Sequence, residues 1–261
     1  MAIATGSGGT VAAVTSTVQA DIAGVAAAIG DPSRAAVLLA LAGGQALTAG
    51  ALAAEAGVRP STISEHLGKL LDAKLLTVER DGRHRFYRLA TGDVARVLEQ
   101  LASLAKPVPV STLRSATRAE ALLRARLCYD HLAGRLGVTL MAALVERGVL
   151  VANGGALPDA PSGRTPFEAD GGAEYAVTPA GAAQLAVLGM AVPQGPRTVR
   201  YCIDWAEQRP HLAGRLGGTL ASRLFELGWV RRGASRRVVH VTDAGVVGLH
   251  DSFGISRGRC D

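Results

Sequence analysis

The heptapeptide His131-Leu-Ala-Gly-Arg-Leu-Gly137 returns unchanged as His211-Leu-Ala-Gly-Arg-Leu-Gly217. An internal repeat of this kind makes the C-terminal half a tandem duplication, two copies of one supersecondary unit. In each copy an Ala/Leu-rich helix follows and stops at a glycine, Gly148 or Gly228. Each copy ends in Val-Thr-x-Ala-Gly, at Val177–Gly181 and Val241–Gly245, where Thr178 and Thr242 are placed to cap a last helix. Upstream, Cys128-Tyr-Asp130 corresponds to Cys202-Ile-Asp204. The copies differ in one respect: His131 follows Asp130 directly, whereas six residues separate Asp204 from His211. Each unit reads as helix, hairpin, helix, with repeats over about 117–190 and 197–257, together an effector-sensing domain over 117–258. The Gly- and Pro-rich stretch 151–173 reads as a long mobile hairpin loop.

The N-terminal half follows a different rule. Residues 1–14 are small and polar and read as a flexible leader. From Val18 to Leu41 apolar residues recur at helical spacing, broken at Gly30-Asp31-Pro32, where Asp31 can cap the next helix and Pro32 suits its first position. A short helix over Ala49–Ala56 ends at Gly57. The next helix, over 60–73, places Ile63, Leu67, Leu70 and Leu71 on one face and Ser61, Ser64, Glu65 and Lys69 on the other. The period then drops to two. Leu76–Arg80 and Arg85–Leu89 flank Asp81-Gly82, a hairpin signal. A helix over Asp93–Leu104 follows, and Pro107 and Pro109 mark a linker over 106–116, closing a domain over 15–105.

Helix, tight turn, second helix with a polar outer face, basic hairpin: this is the order of a winged helix-turn-helix. A helix fits the major groove of DNA and small polar side chains at its start reach base edges, while an arginine-tipped hairpin straddles the phosphate backbone. The candidate DNA contacts are Arg59, Ser61, Thr62, Ser64, Glu65, His66 and Lys69 on the helix, with Arg80, Arg83, His84 and Arg85 on the hairpin. The chain's formal charge of +6 is carried almost wholly by arginine, lysine occurring only at Lys69, Lys74 and Lys106, and the arginine fork suits phosphate. The fold class that follows is mainly α with small β-hairpins (α+β), an N-terminal winged helix-turn-helix preceding two tandem winged-helix-like repeats.

These residues resemble the ArsR-type winged-helix regulators. The resemblance runs from Val18 to Leu104 and rests on Gly30-Asp-Pro-Ser-Arg34, Leu52-Ala-x-x-Ala-Gly-Val58, Ser61-x-x-Ser64-x-His66-Leu67-x-x-Leu70, and the Asp81-Gly82-Arg83 wing with Tyr87-x-Leu89. It implies a homodimeric repressor that binds a double-stranded DNA operator through Ser61, Ser64 and His66, dimerised through helix 91–104 and a helix near the N-terminus. The chain departs from the family where metal-sensing members carry cysteines. Its Leu47–Glu55 stretch has neither thiol nor histidine, and Asp93 with Glu99 makes a poor site. Sensing, if present, has moved to the C-terminal half, whose Cys-Tyr-Asp-His-Leu-Ala-Gly sequence resembles a longer branch of the same family.

There Cys128, Asp130, His131, Cys202, Asp204 and His211 are the candidate effector residues. They are the types that bind a transition-metal or metalloid ion such as zinc, nickel, copper or arsenite. In a helical segment Cys128 and His131 share a face, and the two sets can converge across the pseudo-twofold of the repeat. Other readings stand beside this one: thiol-redox sensing by Cys128 and Cys202, a small organic ligand among Tyr129, Tyr201, Trp205 and Trp229, a Cys/Asp/His enzyme, or plain packing with Asp130 and Asp204 as helix caps. No nucleophile elbow, phosphate loop, dinucleotide fingerprint or His-Glu-x-x-His motif occurs, so enzyme chemistry has little sequence support. Three cysteines, the third being Cys260 in a tail, are no disulfide framework and suit a reducing cytoplasm. The N-terminus lacks a secretory pattern, and no stretch reaches the ~18 apolar residues of a membrane span.

Overall fold

A computed structural model describes residues 20–106, 112–153, 174–195, 198–233, 237–256 and 258. The leader 1–14, most of the loop 151–173, and Cys260 lie outside them.

The first unit begins with α1 (Ile22–Ile29) and α2 (Pro32–Leu41), which meet at 87°. Asp31 caps α2 by accepting from the Arg34 amide at 2.9 Å, Pro32 opens the helix, and Arg34 reaches back to the Ala27 and Ala28 carbonyls of α1. Thr48 caps α3 (Ala49–Ala56), which stops at Gly57 in the left-handed region at φ 66°. After two residues comes α4 (Pro60–Asp72), whose Ile63, Leu67 and Leu70 are buried; Leu71 packs half-buried beside them. The hairpin of β2 (Leu76–Asp81) and β3 (His84–Leu89) takes the short strand β1 (Leu47–Thr48) on its β3 edge. Asp81 pairs with His84, so the turn is Gly82-Arg83, and of the two only Gly82 has positive φ. Helix α5 (Gly92–Leu104) closes a core of Val37, Leu38, Leu41, Leu52, Leu67 and Leu89.

Helix α6 (Leu113–Arg124) starts within the stretch read as linker, its first turn closed by a Thr112/Ser115 capping box. Two series of elements follow in the same order. The first is β4 (Arg126–Cys128), β5 (His131–Ala133), α7 (Gly134–Glu146), β6 (Leu150–Asn153), β7 (Glu174–Val177) and α8 (Pro179–Val187). The second is β8 (Arg200–Ile203), β9 (Pro210–Ala213), α9 (Gly214–Glu226), β10 (Val230–Arg232), β11 (Val239–Val241) and α10 (Asp243–Phe253). Thr178 and Thr242 cap α8 and α10, as the repeated Val-Thr-x-Ala-Gly predicts. Each series opens with a hairpin that a helix–hairpin–helix reading does not contain, and this extra hairpin carries the cysteines and histidines. The two series are interleaved: α7 packs on β9, α9 on β5, and β5 lies beside β9. One core, containing Leu132, Leu136, Met141, Leu212, Leu216 and Leu224, serves both.

No single helix among the described residues is long and apolar enough to cross a membrane.

Candidate functional site

Two surfaces gather the sequence-predicted residues. On the first unit, Ser61, Ser64, Glu65 and Lys69 are exposed along the outer face of α4, with Arg59 exposed at its N-cap and Thr62 half-buried. Glu65 and Lys69 form an i,i+4 ion pair at 2.7 Å. His66 departs from expectation. It is turned onto the start of α2, Nδ1 3.6 Å from Asp31 Oδ1, with a side chain only 14% exposed. At the wing, Arg80, Arg83, His84 and Arg85 are all exposed, and Arg80 sits directly opposite Arg85. Like charges in that register repel. Glu79, next to Arg80 in the strand, is taken by Arg88 at 3.1 Å, and no ion pair joins Arg80, Arg83 or Arg85 to a described residue.

The second surface is internal. In β4–β5 the residue opposite Cys128 is His131, and in β8–β9 the residue opposite Cys202 is His211. The expected shared helical face of Cys128 and His131 is therefore corrected: they meet as a cross-strand pair around a two-residue turn. Because β5 and β9 are neighbours, the two pairs converge. One ligand atom from each of Cys128, His131, Cys202 and His211 lies within 4.8 Å of the others, and the two imidazoles stack with centroids 5.3 Å apart. Both cysteines are free. Three nitrogens in this buried cluster, His131 Nε2 and both of His211, have no hydrogen-bond partner.

The repeated glycines make room for this. A Cβ at Gly137 would stand 3.4 Å from His211 Cβ, and one at Gly217 would stand 3.2 Å from His131 Cβ. Each copy's glycine thus seats the other copy's histidine.

The two aspartates part company. His131 Nδ1 donates to the Asp130 carboxylate at 2.9 Å, which leaves Nε2 to face the cluster. Asp204, by contrast, is spent. One oxygen accepts from the Ala206 and Glu207 amides, the other from the Gly134 amide at 2.6 Å and from Arg126 at 2.9 Å. Neither aspartate caps the chain that follows it as a helix; Asp204 instead closes the N-terminus of α7 from the other repeat through the Gly134 amide, and neither joins the cluster as a ligand.

Charge in the cluster follows from these contacts. Cys202 beside it, together with burial, pushes the Cys128 thiol well above the ordinary thiol range, and Cys128 in turn lowers Cys202. Burial disfavours imidazolium at His131, but Cys128 and Asp130 beside it raise that group to about 9. Burial, with His131 against it, pushes His211 down to about 3. A catalytic thiol needs the opposite of what Cys128 has, a depressed pKa and access to solvent. The four aromatic residues are dispersed: Tyr129 packs on the N-terminal core, Tyr201 and Trp229 on the C-terminal one, and Trp205 lies under the Arg126 guanidinium.

A set of residues that sequence reasoning missed joins the two surfaces. Glu99, on α5, is buried and accepts from Arg126 at 2.9 Å and from Arg237. The Tyr129 amide donates to the Ala42 carbonyl at the end of α2 at 2.6 Å, holding Tyr129 at φ 62°. One sequence signal was available. Arg-x-Cys-x-Asp occurs twice, at Arg126–Asp130 and Arg200–Asp204, and in a strand its arginine and cysteine share a face. Burial alone would raise the Glu99 carboxyl, yet Arg126 and Arg237 hold it at about 2, against an ordinary 4.5. A depressed pKa contributes stability that is present above the unfolded value and lost as pH falls through the folded one. Of about 3 kcal/mol, roughly two-thirds is expected to vanish between pH 7 and pH 3. Urea midpoints across that range check this, and Glu99→Gln should lack this component of the slope.

The wing, the outward α4 and the internal cluster define the class: a winged-helix DNA-binding protein with an α+β half attached. Residues 29–79 match the model of a helix-turn-helix domain. The uncharacterized HTH-type transcriptional regulator YdfF of Bacillus subtilis (strain 168) is 37% identical over 239 residues, which is 90% of this chain and 98% of that protein. The chain belongs to the HTH-type transcriptional regulators and is a DNA-binding regulator of transcription. Among solved structures it is similar to the homodimeric winged helix-turn-helix domain of Mb0332 from Mycobacterium bovis, a possible ArsR-family regulator (27% identity, 34% of this chain and 88% of that one, TM-score 0.30). It is also similar to the cadmium metal-sensor CMTR of Mycobacterium tuberculosis (31% identity, 36% and 100%, TM-score 0.29).

Proposed function

We propose that the chain is an ArsR-type repressor that binds a palindromic operator as a homodimer and is controlled by an effector held in its C-terminal half. The observation that carries the DNA contact is the wing: Arg80, Arg83 and Arg85 crowd one tip with no ion-pair partner among the described residues, beside a helix face of Ser61 and Ser64. A phosphate between Arg80 and Arg85 turns their repulsion into binding energy. Helix α5 leaves Val97, Leu101 and Leu104 exposed at i, i+4 and i+7, and α1 leaves Ile22 exposed, an apolar stripe that supports pairing of two copies there. The half-sites are then about one helical turn apart.

Glu99 supports the link to an effector, since the helix carrying the stripe also carries the carboxylate that holds Arg126 beside Cys128. An effector that favours one arrangement of α5 by only ~2–3 kcal/mol changes operator affinity by one to two orders of magnitude.

Operator binding measured against salt tests the reading. Arg83→Ala is expected to weaken binding about equally on every sequence and to lower the salt slope by about 1, whereas Ser64→Ala shifts sequence preference. Binding that is blind to sequence, or a slope that Arg83→Ala leaves unchanged, contradicts it.

A further inference from the structure

The geometry points to a closed transition-metal site of the zinc class, in which Cys128, His131, Cys202 and His211 ligate one divalent ion between the two repeats. The assignment deepens the proposed reading and rests on it only for the consequence at the operator.

Four observations converge. The donor set is two thiols and two imidazoles, the mixture that structural zinc sites use. The donors come as two equivalent cross-strand pairs, brought together because β5 lies beside β9. In a tetrahedral site with Zn–S about 2.3 Å and Zn–N about 2.0–2.1 Å, neighbouring donors stand roughly 3.3–3.8 Å apart. Here they lie within 4.8 Å, so the widest pair closes by about 1 Å. Finally, His131 Nε2 and both His211 nitrogens are buried without partners; an unsatisfied buried polar atom is a standing cost, and one metal bond from each ring removes it at His131 Nε2 and at one of the two His211 nitrogens.

The surroundings select the ion. Two thiolates cancel a divalent charge, so the centre is neutral once filled and no uncompensated charge is buried. Hard cations such as calcium and magnesium need oxygen donors, and the adjacent carboxylates are committed, Asp204 to Arg126 and backbone amides and Asp130 to His131. Two thiolates also fall short of the all-sulfur shell that a thiophilic metalloid favours. Asp130 plays the outer-shell part that metal-bound histidines usually have, fixing the tautomer so that Nε2 is the free donor. A cleft between α5 and β8, lined by Arg96, Gln100, Tyr201 and Cys202, leads from solvent to the Cys202 side. With all four positions taken by protein, such an ion holds the hairpins together and leaves no place for substrate. A thiol switch would use the same two cysteines but would leave the histidine nitrogens as they are.

The test uses the full chain, reduced and stripped of metal, then titrated with Co(II) and competed with Zn(II). The expected result is about one ion per chain, with intense tetrahedral d–d bands and thiolate-to-cobalt charge transfer. Cys202→Ser, at a half-buried position, should lose tight binding and, in whatever Co(II) it still holds, about half of the charge-transfer intensity, while keeping native circular dichroism. Asp130→Asn, on the surface, should keep the stoichiometry and weaken affinity about 10–100-fold. The assignment is overturned if the folded, reduced parent binds neither ion, or if Cys202→Ser binds like the parent. A Cys128–Cys202 disulfide as the only stable state also overturns it and gives the cluster to redox chemistry. If the parent holds the ion but does not discriminate operators, the site stands and the regulator reading falls.

Discussion

Arg126→Ala is expected to destabilise the folded chain by about 3–5 kcal/mol, a large share of the stability of any domain this size. Arg126 is fully buried and pairs with both Glu99 and Asp204. Truncation leaves Glu99 with Arg237 alone and Asp204 with only backbone amides. The loss is therefore mostly the cost of carboxylates buried without their counter-charge, not the strength of the pair itself. Two further variants separate these terms. Glu99→Gln alone should cost about 3 kcal/mol, at or just below the lower end for Arg126→Ala, because it forfeits the carboxylate's charge but still accepts from Arg126, which keeps Asp204 as its counter-ion. Added to Arg126→Ala, Glu99→Gln should recover part of the loss. Chemical denaturation of the three variants and the parent reads both effects. A midpoint for Arg126→Ala equal to the parent's would show that the network is solvated and carries no such energy.

The same network shows where the sequence could and could not be read. The N-terminal unit is legible because its determinants are local: Asp31-Pro32 opens α2, Gly57 ends α3, and Ile63, Leu67 and Leu70 mark the buried stripe of α4. Each signal acts within a few residues of the one that carries it. The Cys/His residues are legible as types, and their meeting across the repeat follows from the identical heptapeptides. Their register is not. Cys128 and His131 pair because Tyr129 and Asp130 form a two-residue turn, with Tyr129 at positive φ. Tyrosine carries no signal for that conformation, which the Ala42 carbonyl at the end of α2 stabilises from another part of the chain. Likewise the six residues between Asp204 and His211 turn Asp204 inward, while the short loop leaves Asp130 at the surface. Glu99 could not be found by spacing at all, since its partners lie 27 and 138 residues away. His66 shows how far rotation about a helix escapes such a reading. Its place on α4 suggested DNA, but its rotation about the helix faces it to Asp31.

Gly137→Ala is expected to cost about 3 kcal/mol or more, at the top of the range for inserting a methyl into a packed interior. Its Cβ would lie 2.4 Å from the Leu132 carbonyl oxygen and 2.7 Å from the carbonyl carbon. Neither atom can move freely, because Leu132 belongs to β5 and is in register with Leu127 of β4. Relief must come from sliding α7 along β9 or lifting β5, and either motion shifts His211, whose Cβ is 3.4 Å away. Gly217→Ala has the same logic from the other side, meeting the Leu212 carbonyl oxygen at 2.7 Å and His131 Cβ at 3.2 Å, so a slightly smaller loss is expected. Gly50→Ala is the control. It lies inside α3 with nothing within 4 Å of the added methyl, and it should stabilise by about 0.5–1 kcal/mol through helix propensity alone. Urea midpoints order the three variants. Parent-like midpoints for both Gly137→Ala and Gly217→Ala would mean that the repeats do not interleave through these glycines, and the shared seating of the two histidines would be lost with that contact.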